Sequence, residues 1–396
     1  MFVLASRLEA VGLVVRVRPT WRHPRCGQCG RRAPRYDRRD ARLWRHLSLG
    51  ECRVWLEYAP RRVKCGDCGV RTEAVPWAAA GSHFTLALEE LVAYLAQTTD
   101  HTSASRIAGV AWASVGSIVE RVVARRHDPA ALKGLRRIGI DEFSYRKYHR
   151  YLTTVVDHDR RRVVWAGVGR SSKTLAPFFE LLGEEGCAAM EVVTIDLSAA
   201  FTKAAREGLP NAQIVYDRFH VQRLASDALD EVRRDVQRSV DRTNELRSAL
   251  KSSRFALLKN PWNLSAAERG KLADVQRANQ PLYRAYLLKE TLRQALSYKQ
   301  PWRAERALRV WMGWASRSRL KPFVRVARTI RKHLGGVLAY VRERLTNGIV
   351  EGFNNRLRMI ARRAFGFHGP GPLISMLFLC CGGIQLKPPR PRATHS

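Results

Sequence analysis

Apolar residues recur at different spacings along the chain and divide it into segments. Residues 1–78 hold short alternating runs such as VGLVVRVRP, separated by turn residues, which predict a small β-rich module. Residues 84–127 change to the three- and four-residue spacing of helices, and residues 134–217 alternate strands with helices. Helical spacing then covers 218–346 and continues through 347–384. The sequence therefore predicts a multidomain α+β protein.

The segment 134–217 has the pattern of a mixed sheet. A first strand ends near IGID, and YLTTVVDHDRRRVVWAGV predicts two more strands joined by a turn at Asp157–Arg160. Strands that follow one another without helices predict an antiparallel meander, whereas EVVTIDL and AQIVYD follow helices and should run parallel. This order predicts an RNase H-like mixed α/β domain. Residues 218–346 are then a long all-helical insertion, and 347–384 supply the final helices of that domain.

The segment 84–127 predicts a helix-turn-helix. FTLALEELVAYLAQ has one apolar helix face, and SASRIAGVAWASVGSIVERVVARR predicts two short helices with a turn at Gly109. The residues expected to face inward are Ile107, Ala108, Val115, Ile118 and Val122. The candidate DNA contacts that remain on the outside are Ser114, Ser117, Arg121, Arg125 and Arg126. A three-helix bundle that contacts only protein is the alternative.

The charge balance narrows the choice of partner. Lys and Arg number 70 against 35 Asp and Glu, which gives a net charge of +35 and favours a polyanion, foremost nucleic acid. An anionic membrane is the weaker alternative. No apolar run reaches the roughly 18–20 residues that span a bilayer. The apolar start is interrupted by Arg7 and Glu9, so we expect no signal peptide. The Pro-rich basic residues 385–396 are predicted to form a mobile tail.

Two C-x-x-C pairs, Cys26 with Cys29 and Cys65 with Cys68, suggest zinc. Each pair offers two thiolates on a tight turn, which is half of a tetrahedral zinc site. Four thiolates leave no open position, so the predicted zinc is structural rather than catalytic. Unliganded cysteines are the alternative, and Cys52 between the pairs is interpreted as a core residue.

Three acidic residues occupy positions where acids are costly. Asp141 and Asp196 each end an apolar strand, and Glu351 lies beside the apolar face of a helix. If the strands are neighbours and the helix packs across them, three carboxylates converge and need divalent cations, for which magnesium is the natural choice. Two magnesium ions would activate the attacking oxygen and stabilise the leaving oxygen of a phosphodiester.

Each acid also has a plainer interpretation. A strand-end Asp commonly caps a turn, and Glu351 could be a solvated helix acid. Glu142 should point to the opposite face of the sheet from Asp141. The rival carboxylates are Asp157, Asp159 and Asp217, of which the first two fit a hairpin turn better.

The motifs CGQCG, RRVKCGDCGV, IGIDEFS, VVTIDLSAAF, YDRFHVQRL and NGIVEGFNNRLRMIARRAFGF resemble those of DDE-type insertion-sequence transposases of the ISL3 family, over about residues 1–383. The resemblance implies a catalytic triad of Asp141, Asp196 and Glu351. It also implies that Asp217 and His220 form a D-x-x-H element in which His220 touches DNA near the metals; the alternative is a histidine that caps a strand end. The arginines that would line a DNA backbone are Arg356, Arg358, Arg362 and Arg363, unless they form a solvated basic face.

The resulting hypothesis is a magnesium-dependent transposase that binds double-stranded DNA at terminal inverted repeats, cleaves the ends and transfers them to target DNA. We expect a homodimer or larger assembly, because two ends must meet, and a cytoplasmic, nucleoid-associated protein. The absence of a P-loop pattern predicts no use of ATP. One alternative is a sequence-specific repressor derived from a transposase. Another is an RNase H-like structure-specific nuclease, such as a junction resolvase.

Overall fold

The computed structural model describes residues 1–128, 130–146, 150–239, 253–343, 345, 348–363 and 369–387. Within those ranges, the side chains of residues 146, 278, 351, 354, 357 and 361–363 are outside the description. Part of the predicted helical insertion and most of the predicted tail are also outside it. The chain forms two compact units, one comprising Met1–Ala131 with Asn355–Ser396 and the other comprising Leu132–Asn354.

The described strands and helices follow the predicted order of segments. The strands are β1 (Phe2–Glu9), β2 (Gly12–Arg18), β3 (Arg35–Arg38), β4 (Arg42–Arg45), β5 (Val54–Tyr58), β6 (Arg61–Cys65), β7 (Gly69–Thr72), β8 (Arg137–Arg146), β9 (Arg150–Asp157), β10 (Arg162–Val168), β11 (Val192–Ile195) and β12 (Gln213–Tyr216). The first helices are α1 (Leu86–Thr98), α2 (His101–Ala108), α3 (Trp112–Arg126), α4 (Ala176–Ala188), α5 (Ala199–Gly208), α6 (Arg218–Ser239) and α7 (Arg254–Leu258). The others are α8 (Ala266–Ala278), α9 (Gln280–Ala295), α10 (Pro301–Arg317), α11 (Lys321–Lys332), α12 (Leu334–Glu343), α13 (Gly348–Arg363) and α14 (Pro370–Cys381).

The N-terminal strands form two small sheets. One has the order β1-β2-β5-β4 and buries Val17, Trp44 and Leu56. The other has the order β3-β6-β7, with Cys65 and Cys68 at its β6–β7 turn and with Cys26 and Cys29 in the segment before β3. Gly30 and Gly69, each directly after the second cysteine of a pair, have positive φ angles of 73° and 71°, a conformation that glycine adopts without steric cost. Glycine at these positions therefore lets both C-x-x-C turns close.

The helix-turn-helix is present, with α2 and α3 bent by 95° relative to each other. Asp100 caps α2 by accepting a hydrogen bond from the Ser103 amide, and Gly109 makes the turn in the left-handed region with φ of 63°. The prediction that Ile107 faces inward was wrong, because its side chain is 64% exposed. The other predicted inward residues are buried, namely Ala108, Val115, Ile118 and Val122. No single helix in the described ranges is long and apolar enough to cross a membrane.

The helix α14 packs against α1 and α3, so it completes the helical bundle of the first unit. The amide of Gln97 donates to the carbonyl oxygen of Leu379 at 2.6 Å, and the rings of His127 and Phe378 meet edge to face. The assignment of 347–384 to the catalytic domain as its final helices stays a prediction.

The second unit is built on a five-stranded sheet of order β10-β9-β8-β11-β12. Strands β8, β9 and β10 are antiparallel, while β11 runs parallel to β8 and β12, as predicted. Ile138, Ile140, Val193 and Ile195 face the core with helices α4 and α5. The opposite face is covered by α12 and by the start of α13, where Val350 is fully buried.

Helices α6 to α11 follow the last strand and pack on one another, and α12 packs on β12. Helix α6 packs on α9 and α11, and α10 packs between α9 and α11. Trp311 is fully buried there and its indole N–H donates to the Leu288 carbonyl oxygen at 2.8 Å. Residues 240–252 of the predicted insertion lie outside the described ranges.

Candidate functional site

Strand register places Asp141, Asp196 and Asp217 side by side on one face of the five-stranded sheet, near the carboxyl ends of β11 and β12. These three residues form the acidic row. Thr194 of β11 is paired with Gly139 of β8, so continuing the parallel register by two residues puts Asp196 beside Asp141. Ile195 is paired with Tyr216, so the next residues, Asp196 and Asp217, are also neighbours. Adjacent strands are about 4.8 Å apart and residues in register share a face, so the three carboxylates start from neighbouring positions.

Asp141 is a buried acid at the centre of this row. Burial raises the pKa of Asp141 to about 6, and the nearby charge of Asp196 adds to the rise. The Glu142 amide donates to Asp141 Oδ1 at 2.7 Å, and this hydrogen bond and the charge of His220 act in the opposite direction. An acid with this pKa accepts either a proton or a cation near neutral pH.

Asp196 is held at the start of α5. Its Oδ1 accepts a hydrogen bond from the Ser198 amide at 3.0 Å, and Ser198 in turn caps the helix. Desolvation raises the pKa of Asp196, while the Ser198 amide and the charge of His220 lower it. His220, in the first turn of α6, is therefore electrostatically coupled to both Asp141 and Asp196.

Glu142, which strand alternation assigns to the face of β8 opposite Asp141, also interacts electrostatically with Asp196. Desolvation raises its pKa, the charge of Asp196 contributes to the rise, and Arg170 opposes it.

The third predicted acid, Glu351, is in helix α13, and its side chain lies outside the described part of the chain. The preceding residue, Val350, packs directly on β8. A β-carbon built on Gly139 would lie 2.4 Å from Val350 Cγ2, so α13 begins as close to the sheet as the missing side chain allows. Gly139 precedes Asp141 by two residues and shares its face of the strand. Helix α13 thus begins on the face that carries the aspartates.

The rival acids Asp157 and Asp159 belong to the β9–β10 turn. Asp157 Oδ1 accepts hydrogen bonds from the amides of Asp159 and Arg160 at 2.8 and 3.1 Å. Asp159 forms an ion pair with Arg137. The interpretation of both residues as hairpin-turn acids is confirmed.

The raised pKa of Asp141 predicts a pH effect on the metal-free protein. Its pKa is 3.8 in a model peptide and about 6 when folded, so the folded state binds more protons between those values. The stabilising contribution of protonated Asp141 is full below pH 3.8 and is lost as the pH rises through about 6. Asp141→Asn should remove this contribution, worth up to about 3 kcal/mol.

The measurement is urea unfolding in buffer without Mg²⁺ between pH 4 and 7, for wild type, Asp141→Asn and the turn variant Asp159→Asn. We expect a flatter dependence of the unfolding free energy on pH for Asp141→Asn alone. Equal slopes in all three proteins would contradict a raised pKa at Asp141.

The four cysteines of the C-x-x-C pairs form a single cluster. Cys26, Cys29, Cys65 and Cys68 have sulfur atoms that all lie within 4.8 Å of one another, as tetrahedral zinc ligation requires. Amides of Cys29 and Gln28 donate toward Cys26 Sγ and lower the pKa of that thiol to about 7, which favours the thiolate. Cys52 is outside the cluster and its Sγ faces the Arg53 carbonyl oxygen.

The arginines predicted to contact DNA from α3 are ion-paired within the helical bundle. Arg121 and Arg125 each donate to Glu89 at 2.6 Å, and Glu89, on α1, is fully buried. Ser82 Oγ donates to Glu89 Oε1 at 2.8 Å, and Arg126 pairs with Glu90. Ser117 is exposed and Ser114 is half-buried, and Ser117 Oγ donates to the Ser114 carbonyl oxygen. The described ion pairs tie α3 to α1.

Replacement of Glu89 by Gln should therefore destabilise the helix-turn-helix. The variant keeps the shape but leaves two half-buried guanidinium groups without a counter-charge, which should lower the unfolding free energy by about 2–4 kcal/mol. The matched control is Glu90→Gln, which breaks the more exposed pair with Arg126 and should cost less than about 1 kcal/mol. Chemical denaturation measures both, and equal losses would contradict a special role of Glu89.

The structure describes the side chains of two of the four predicted arginines of α13. Arg356 and Arg358 are exposed, and Arg358 donates to Asn355 Oδ1 at 2.7 Å. The side chains of Arg362 and Arg363 lie outside the described residues. A role of these four arginines in DNA binding stays a prediction.

Three family models match the chain. Residues 138–377 match the ISL3 DDE model, which is described as "Transposase". Residues 73–123 match the helix-turn-helix domain of transposase family ISL3. Residues 22–68 match the zinc-finger of transposase IS204/IS1001/IS1096/IS1165.

Curated relatives are similar over almost the whole length. The transposase for insertion sequence element IS1557 of Mycobacterium tuberculosis is 39% identical, with 95% of this chain and 90% of that protein covered. The transposase for insertion sequence element IS1001 of Bordetella parapertussis is 33% identical, with 90% of this chain and 88% of that protein covered.

Proposed function

This chain belongs to the ISL3 family of insertion-sequence transposases, and from that premise we propose that it binds the terminal inverted repeats of its element, cleaves the DNA ends in a magnesium-dependent reaction and transfers them to target DNA. The observation that carries the proposal is the acidic row, in which the parallel register of β11 with β8 brings Asp196 beside Asp141. The order of strands and the helices that follow them support an RNase H-like core with α6–α12 as its insertion.

The acidic row fits magnesium by the chemistry of its donors. Carboxylate oxygens are the ligands that magnesium prefers, and buried neighbouring carboxylates without a cation repel one another. The raised pKa values of Asp141 and Asp196 are the expected result of that burial and proximity. We assign Asp141, Asp196 and Glu351 as the residues that would hold two magnesium ions. When bound, such a pair supplies an activated attacking oxygen and a stabilised leaving oxygen.

The other residues around the row would orient DNA and control charge. The charge of His220 lowers the pKa of Asp141 and of Asp196, which favours the ionised carboxylates that would act as ligands. From the first turn of α6, His220 can also reach a DNA strand that enters the row. Asp217, buried and next to Asp196 in register, connects the row to the start of α6, since its carbonyl oxygen accepts from the Val221 amide at 3.2 Å.

We propose that the helix-turn-helix and the zinc ribbon, residues 22–68, bind the inverted repeat. Exposed Ser117 and half-buried Ser114 lie near the start of α3, the end that recognition helices present to base edges. Arg121 and Arg125 pair with Glu89, so we propose that they fix the orientation of α3 and contact DNA less directly than the sequence implied.

Arginines of the zinc ribbon are available for the DNA backbone. Arg22, Arg32 and Arg35 are exposed along one shallow groove, and none of them forms an ion pair within the described chain. Such arginines bind phosphates irrespective of base sequence and thereby set the register of a protein on DNA. Because two transposon ends must be cut in concert, a homodimer or larger assembly is the proposed active form.

The test is a cleavage assay with the native element ends, read from the DNA that flanks the gene. Purified full-length protein that retains its zinc is incubated with or without added Mg²⁺ and with three DNAs: the element ends, a scrambled duplex of the same length and a branched junction. We expect strand cleavage only at the element ends and only with Mg²⁺. Tight binding of the ends without cleavage would favour a repressor, and preferential cleavage of the junction would favour a structure-specific nuclease.

A further inference from the structure

We propose that Arg170 binds a phosphate of the DNA strand that enters the acidic row, and so positions that strand for cleavage. The inference rests on the proposed function for the presence of DNA at this site. It extends that function to a residue outside every motif that the sequence offered. Arg170 follows β10 and precedes the turn before α4, within the second compact unit.

The backbone on both sides of Arg170 is fixed. Gly169 adopts a positive φ of 117°, and its carbonyl oxygen accepts from Thr153 Oγ1 at 2.7 Å. Thr153 is fully buried in β9, so this anchor belongs to the core of the sheet. On the other side, the Ser171 amide donates to Thr174 Oγ1 at 3.1 Å in a capping box. The side chain of Arg170 therefore starts from a preorganised position.

The side chain then reaches the edge of the acidic row. Its guanidinium carbon lies 4.3 Å from the centre of the Tyr151 ring, and Nη1 lies 3.9 Å from Glu142 Oε1. Stacking of this kind orients the guanidinium plane. Glu142 directly follows Asp141 in β8, so Arg170 lies beside the strand that carries Asp141.

The contact with Glu142 leaves Arg170 able to bind a second anion. A charged hydrogen bond from arginine is about 2.7–2.9 Å long, and the 3.9 Å separation is well beyond that. The Arg170 side chain is 53% exposed, so solvent and ligands can approach it. Glu142 is its one ion-pair partner within the described residues.

Charge explains why an arginine is useful here. Asp141, Glu142 and Asp196 make this edge anionic, and a DNA phosphate that approaches them is repelled unless cations compensate. The planar fork of a guanidinium matches two oxygens of one phosphate, whereas an ammonium group offers a point charge. Arg170 therefore suits the phosphate group of an incoming DNA strand.

The experiment is a double-mutant cycle between the protein and the DNA backbone. The probe is a synthetic duplex of the element end in which one phosphate at a time, around the cleavage position, is replaced by a neutral methylphosphonate. Equilibrium affinity is measured in Ca²⁺ for full-length wild type, Arg170→Ala, Arg170→Lys and Arg136→Ala. Arg136 is the matched control because it is an exposed arginine of the same unit, paired with Glu191.

We expect wild type to lose affinity about 10-fold when one particular phosphate is neutralised. Arg170→Ala should lose about 10-fold on unmodified DNA and nothing more at that phosphate, with Arg170→Lys in between. Arg136→Ala should behave as wild type. If the losses of Arg170→Ala and of every methylphosphonate are additive, Arg170 has only a structural role and the inference is overturned.

This result is independent of catalysis. If wild type fails to cleave the element ends in Mg²⁺, the proposed function fails. The affinity cycle needs no cleavage and still decides whether Arg170 contacts a phosphate.

Discussion

Replacement of Asp196 by Asn is expected to reduce cleavage of the element ends by at least about 1000-fold, with DNA affinity within about threefold of wild type. The asparagine keeps an oxygen that can accept the hydrogen bond from the Ser198 amide at 3.0 Å, so the start of α5 is preserved. The variant loses the charge that lies in register with Asp141 and would serve as a metal ligand. Removing one ligand of a shared metal pair disables the whole unit, which makes the expected loss large.

Single-turnover cleavage in Mg²⁺ and equilibrium binding to the uncut end measure the two effects separately. The matched control is Asp159→Asn, which also removes one carboxylate charge but from the β9–β10 turn, where Asp159 pairs with Arg137. That variant should cleave as fast as wild type. Cleavage by Asp196→Asn at the rate of Asp159→Asn would refute the metal role of Asp196.

Loss of zinc is expected to unfold the zinc ribbon and to weaken binding of the element end by at least about 10-fold. The core of the ribbon consists of little more than Cys26, Ala33, Val63 and Cys65, so two of its main buried side chains are themselves predicted ligands. So small a core cannot hold three short strands together without a metal. Zinc affinity in such modules appears directly as folding free energy, on the order of 10 kcal/mol.

Cys65→Ser tests this, with Cys52→Ser as the matched control outside the cluster. Metal analysis should give one zinc per chain for wild type and Cys52→Ser, and much less for Cys65→Ser. Limited proteolysis should then cut Cys65→Ser within the ribbon while the helix-turn-helix stays protected. A zinc-free Cys65→Ser protein with an intact ribbon would contradict the structural role.

The parts of the fold that local pattern determines were predictable. No helix separates β8, β9 and β10, and this predicted their antiparallel meander. Helices precede β11 and β12, and this predicted parallel strands, because parallel neighbours need long connections. The cysteine cluster was predictable because each pair brings its own half of the site on one turn. Asp196 beside Asp141 follows from the parallel register of β11 with β8, although the prediction that Asp141 ends its strand was wrong, because β8 continues to Arg146.

The rest depended on contacts between distant residues. LALEELV contains two adjacent acids, and only the packing of α3 on α1 decides that Glu89 is buried and Glu90 is not. Ile107 is exposed because the buried face of α2 runs through Ala104 and Ala108, and Ile107 lies about 100° around the helix from Ala108. Arg170 lies outside every motif, and Glu142, although it belongs to IGIDEFS, was expected on the face of the sheet opposite Asp141.

The closeness of α13 to β8 has a consequence for judging copies of such elements in a genome. A methyl group at position 139 would collide with Val350, with His158 Nε2 at 2.9 Å and with Thr194 Oγ1 at 3.0 Å. One Gly139→Ala change would thus push away the helix that carries Glu351 while all three acids remain in the gene. A genome survey that classifies a copy as intact by its acidic residues alone would count this allele as functional. Such a survey should therefore score Gly139 together with the three acids.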